Sequence, residues 1–169
     1  MDALGVHAVS YGGKGLTMLF DPVLFVHIVS ASVLFAAGMV TALTLFVAVL
    51  SGNVASISYA ARRVVIADWF LTMPSGFIQF CSGVWLGYRD GVLPESWVVV
   101  SVGLFLIAAV CWVPVLGLQI RMSCAAEDAL QAGETSVSAA FMRDFWVWCL
   151  LGLPAFFSLV FVFYLMVSK

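Results

Sequence analysis

Charged side chains are scarce in this sequence, at 9% of 169 residues, where an ordinary globular domain carries about 25%. A soluble chain with so little polar surface could not cover its own core. The net charge of −2 leaves no basic face, so nucleic acid is excluded as an expected partner. Histidine is rarer still: only two are present, His7 near the start and His27. A bis-His haem clamped between two helices therefore cannot be built within this chain. Any haem would need His27 together with water, a methionine such as Met39 or Met73, His7, or a residue of another subunit. There is no glycine-rich phosphate loop, no HExxH and no Ser–His–Asp constellation. The four cysteines show no CxxC or other metal-type spacing, and read as small apolar fillers.

What the sequence has in abundance is apolar length. Hydrophobic residues make up 64% of it, and they are gathered into blocks. Residues 22–50, 69–88, 96–120 and 145–168 contain no Asp, Glu, Lys or Arg. About 20 mostly apolar residues suffice to cross ~30 Å of hydrocarbon as a helix. All four blocks are long enough, which predicts an all-α integral membrane four-helix up-down bundle. The expected spans are about 19–50, 63–88, 96–122 and 141–167. They form one domain over 19–169, preceded by a short tail over 1–18. That tail has no basic n-region and no clean apolar run, so it does not read as a signal peptide.

Local signals set the boundaries. Asp21 and Pro22 suit the cap and first turn of the first helix, and Ser51, Gly52 and Asn53 break it. Arg89, Asp90, Gly91 and Pro94 make the next turn. The polar stretch 123–140 links the last two spans and has room for a short surface helix. Pro74, Pro114 and Pro154 fall inside spans, where each is expected to kink its helix. Gly38 and Ala42, and Gly83 and Gly87, are spaced for close approach of two backbones. Arg62, Arg63, Arg121 and Arg143 flank one side of the spans, and Lys14, Arg89 and Lys169 the other. The positive-inside rule then favours the first set as cytoplasmic and both termini as periplasmic.

Polar groups inside an apolar span must be paired or must face a cavity. His27 lies one to two turns inside the first helix, and an imidazole there can ligate haem iron or copper, relay protons, or bond to a neighbouring helix. Gln79, on the antiparallel second span, falls within a few residues of the same depth. It can serve His27, a bound ligand, or simple interhelical bonding. Trp112 is deeper than Trp69, Trp85, Trp97, Trp146 and Trp148, which sit where an interfacial aromatic belt would. Its indole N–H needs an acceptor or a ligand. Asp68 lies about one turn inside the second helix, and Arg121 is expected at a similar level on the third. A structural Asp68–Arg121 ion pair holding these helices in register is the expected arrangement. The arginines of that face could alternatively hold an anion, a haem propionate or lipid head groups.

The segments FVHIVSASVLFAAGM (25–39), RRVVIADWFLTMPSGFIQFCSGVWL (62–86), WVPVLGLQIRM (112–122) and the LPAFF of the fourth span resemble a bacterial four-helix integral-membrane family with no assigned function. The shared features are a His-Ile-x-Ser opening, an Ala-Asp-Trp block with downstream Pro and Gln, and a Trp-x-Pro…Gln-x-Arg-Met ending. That family is in turn distantly similar to the copper-resistance D membrane proteins and the HemJ-type protoporphyrinogen oxidases. The resemblance implies a bacterial cytoplasmic-membrane location. For His27 alone it implies a ligand role toward haem b or copper, while Gln79 and Trp112 are cofactor-binding candidates by their position in the spans. The further His and Lys residues of the HemJ-type pattern have no match in this sequence. Three functions are thus expected to compete: a haem- or copper-associated redox protein using His27, a non-catalytic accessory subunit of a larger respiratory or photosynthetic complex, and a small transporter. Membrane lipids, and a homodimer or larger complex, are the expected partners.

Overall fold

The computed structural model describes residues 21–169, and the expected tail lies outside them. Among these residues the chain forms five α-helices and one π-helical segment: α1 (Pro22–Ser51), α2 (Val54–Ala67), the π-helical segment Asp68–Thr72, α3 (Met73–Arg89), α4 (Ser96–Gln131) and α5 (Ala139–Val167). From α2 through α3 the chain is one uninterrupted helical rod. Four rods are therefore long and apolar enough to cross a membrane, and short turns join them in up-down order. The fold is an all-α membrane bundle.

Each rod starts and stops for a local reason. Asp21 caps α1, its side chain accepting from the Val23 and Leu24 amides at 2.9 and 3.2 Å. Gly52 ends that helix in the left-handed region, φ 65°, where a Cβ would be strained. Asn53 caps α2 through the Ser56 amide at 2.9 Å, and Ser138 caps α5 through the Phe141 amide at 3.2 Å.

Two boundaries differ from expectation. The second rod begins at Val54 rather than near residue 63, and α4 runs on to Gln131 rather than stopping near 122. Residues 123–131 therefore continue α4 and do not form a separate surface helix. Each of these rods has 36 residues, or about 54 Å at 1.5 Å per residue, well beyond the ~30 Å of hydrocarbon. They project together past the membrane on the arginine-rich side, with Ala60, Ala61, Ala126 and Ala129 buried along the helices. Small side chains permit the close approach.

Pro74 has no amide hydrogen to donate. The helix meets it by widening immediately upstream, where the Met73 amide bonds the Asp68 carbonyl five residues back. Such widened turns relieve an interruption without ending the rod. Pro114 and Pro154 remain inside continuous α4 and α5.

The apolar core sits at the arginine-rich end. Leu45 and Ala48 of α1, Ile57 and Val64 of α2, Val115, Leu118 and Met122 of α4, and Phe141, Phe145 and Trp148 of α5 form one buried cluster. Trp148 therefore belongs to the core, stacked on Phe145 with centroids 6.0 Å apart, and not to the interfacial belt. Trp69, Trp85 and Trp146 are exposed, as a belt requires. At the opposite end α1 pairs with α3 and α4 with α5. Bulky aromatics bridge these two hairpins: Phe35 meets Phe156 and Phe163, and Phe80 meets Phe105.

Candidate functional site

The antiparallel pairing of α1 and α3 is fixed at its outer end by an ion pair between Asp21 and Arg89. One to two turns further in, this register brings His27 and Gln79 together, with 3.0 Å between His27 Nε2 and Gln79 Nε2. Ser82 Oγ lies 2.9 Å from His27 Nδ1. Ser82 already donates its hydroxyl hydrogen to the Ile78 carbonyl at 2.6 Å, so it receives from Nδ1–H. Nε2 is then the unprotonated nitrogen and accepts from the Gln79 amide. Gln79 Oε1 in turn accepts from Ser30 Oγ at 2.7 Å. This tautomer is assigned from the hydrogen-bond network. Every side-chain polar group of the His27–Gln79–Ser30–Ser82 cluster has a partner, which is the condition for polar groups to be tolerated in an apolar layer.

Gly83 explains how the imidazole fits. A Cβ on Gly83 would stand 3.0 Å from His27 Cε1, so the absent side chain is the space in which the ring lies. The Gly83–Gly87 spacing thus serves contacts within the bundle. Gly83 faces α1, while a Cβ on Gly87 would meet Leu93 Cδ2 at 2.8 Å. Gly38 faces open space.

Asp68 and Arg121 do not pair. Asp68, 3% exposed, accepts from Thr72 Oγ1 at 2.8 Å and from Trp112 Nε1 at 3.3 Å. Arg121 Nη2 instead reaches Asp144 Oδ2 of α5 at 2.9 Å, and Arg143 takes the other oxygen at 3.2 Å. The cause is register. Ser58 bonds Glu127 at 2.9 Å, and together with the Trp112–Asp68 contact this sets Arg121 level with residues 59–64. It therefore lies at least a turn nearer the surface than Asp68. The ends expected near 63 and 122 imply this same register, with Asp68 already about a turn further in than Arg121, and the longer rods keep that offset. Asp144 carried no distinguishing sequence signal beyond standing next to Arg143. Gln119 is buried, and its Oε1 finds no donor among the described residues.

A haem or copper centre at His27 can be tested against this donor set. Both imidazole nitrogens are engaged by Ser82 and Gln79, so neither is free for an axial or equatorial metal position. Gln79 is spent on His27 and Ser30, and Trp112 on Asp68. Among the described residues no group of three His, Cys, Asp or Glu is placed to hold a metal ion. His7 lies outside them. As arranged, these residues fit an interhelical clamp and do not fit a metal centre.

No curated protein and no solved structure matches the chain. A family model does, over residues 22–169, which takes in all four spans and both polar clusters. The chain belongs to the predicted integral membrane protein family DUF2269.

Proposed function

We propose that this chain is a non-catalytic membrane subunit, whose four spans present a lipid- and partner-facing surface in a larger complex of the bacterial cytoplasmic membrane. The observation that supports this reading is the saturated His27 cluster: the polar groups most able to do chemistry bond one another across α1 and α3. The Asp68–Thr72–Trp112 group is closed in the same way. Large side chains such as Phe70, Phe77, Tyr88 and Phe157 point outward from the rods, available to lipid or to neighbouring helices.

The direct test is blue-native electrophoresis of membranes from the native host, followed by a visible spectrum and metal analysis of the purified material. Migration well above the monomer with a colourless, metal-free chain supports the reading. A monomeric species carrying a Soret band or stoichiometric copper overturns it in favour of a redox protein using His27. The projecting ends of α2 and α4, with Arg62, Arg63, Arg121 and Arg143 nearby, support a cytoplasmic position for that side. Cys124 is exposed on the α4 projection, so an impermeant thiol reagent should label it only after the inner face is opened.

A further inference from the structure

A groove runs along the outside of the bundle between α1 and α2, in two compartments that meet at Thr44. The outer compartment, about 510 Å³, lies against Ser51, Ser56 and Tyr59, where α1 ends and α2 begins and the chain has left the hydrocarbon. The inner compartment, about 340 Å³, is bounded by Thr41, Arg63, Ile66, Phe70 and Leu71. Both compartments are lined mostly by apolar side chains, with Ser51, Ser56 and Tyr59 at the outer end and the Arg63 guanidinium further in, so the groove is an apolar channel with polar anchors, as a phospholipid requires.

Arg63 lines the inner compartment, one turn along α2 from Tyr59 of the outer one. Its Nε donates to Tyr59 Oη at 3.1 Å and its guanidinium carbon lies 5.1 Å from the Tyr59 ring centre. The side chain is thereby steered along the groove while its two terminal nitrogens stay free of any carboxylate among the described residues. The other arginines of this side are differently disposed: Arg121 and Arg143 share Asp144, and Arg62 lies in the field of Glu127. A guanidinium with two open nitrogens matches a phosphate diester, which accepts two parallel N–H bonds.

We propose that this groove binds one anionic phospholipid, its phosphate on Arg63, its head group toward Ser51 and Ser56, and an acyl chain along Ile66, Phe70 and Leu71. Charge complementarity selects a lipid of net negative charge, since juxtamembrane basic residues attract anionic head groups.

The test is native mass spectrometry of the full chain in mild detergent, with phosphatidylglycerol and phosphatidylcholine supplied in equal amounts. Wild type should retain one phosphatidylglycerol in preference. Loss of a charge-assisted bidentate contact should weaken that retention about tenfold in Arg63→Gln. Arg143→Gln should leave it unchanged. Thr44→Trp keeps Arg63 but fills the groove, and should also abolish retention, with circular dichroism confirming that each variant is folded. Equal retention by wild type and Arg63→Gln overturns the site. Equal loss in Arg143→Gln shows attraction by net charge alone and overturns it as well. So does complete displacement of the lipid by excess inorganic phosphate, which would make Arg63 a simple anion site.

Discussion

His27 and Gly83 are shaped to each other across the α1–α3 contact, the imidazole Cε1 lying 3.0 Å from where a Cβ on residue 83 would be. Gly83→Ala must push the ring off its Gln79 and Ser82 partners or spread the helices. Overpacking of this kind costs about 1–3 kcal/mol, and the variant should unfold correspondingly earlier in a detergent thermal melt. His27→Ala removes the clash, so the double variant should lose less than the sum of the two single losses.

Arg121 and Asp144 should be energetically coupled, and Arg121 and Asp68 should not. A double-mutant cycle on Arg121→Ala and Asp144→Ala is expected to show coupling of about 0.5–1 kcal/mol, kept small because the Arg121 side chain is 61% exposed. The same cycle on Arg121→Ala and Asp68→Ala should be additive within about 0.5 kcal/mol. Coupling in the second cycle and none in the first would reverse the assigned register.

Trp112→Phe removes the indole N–H while keeping most of the ring, and leaves one oxygen of the buried Asp68 carboxylate without its donor. The expected loss is about 1–3 kcal/mol, measured by urea or thermal unfolding in micelles. Thr72→Val should give a loss of similar size from the other oxygen. Trp69→Phe, at an exposed belt position, should be close to neutral by the same assay.

Acid should loosen the outer end of the α1–α3 pair. The Arg89 guanidinium beside Asp21, with help from the Leu24 and Val23 amides, holds that carboxyl below the usual carboxylate range. A depressed native value means the contribution is fully present above the ordinary Asp pKa and fades as pH falls through the lowered one. Below about pH 4 the melting temperature of wild type should therefore drop more steeply than that of Asp21→Asn. Parallel curves for the two proteins would remove Asp21 from the acid response.

The four spans were legible because exclusion of Asp, Glu, Lys and Arg over twenty or more residues has few explanations besides hydrocarbon. The closeness of His27 and Gln79 could be read from antiparallel counting outward from Arg89, because that turn is short and its ends are well signalled. For Asp68 and Arg121 the counting was too coarse, an offset of about one turn passing for one level, and the rod ends beyond the membrane were not legible either. The stretches 54–62 and 123–131 are too rich in Ala, Ser and charge to read as span, yet they are helical because small residues let the two rods pack closely beyond the membrane. Ser82 and Ser30 were missed for another reason. A serine in an apolar helix usually bonds its own backbone, and only the three-dimensional register shows that these two also complete the polar shell of His27. The π-helical turn at Asp68–Thr72 was foreshadowed by Pro74 only as a kink.

Whether His27 is an interhelical clamp is tested most directly by the ¹⁵N spectrum of its imidazole in lipid bilayers, recorded in a His7→Gln background so that a single ring remains. The structure predicts a protonated Nδ1 bonded to Ser82 and an unprotonated Nε2 accepting from Gln79. Ser82→Ala should then shift the first resonance and Gln79→Ala the second. A proton on Nε2 with Nδ1 bare, or an Nε2 resonance displaced by a bound iron or copper ion, would contradict the clamp.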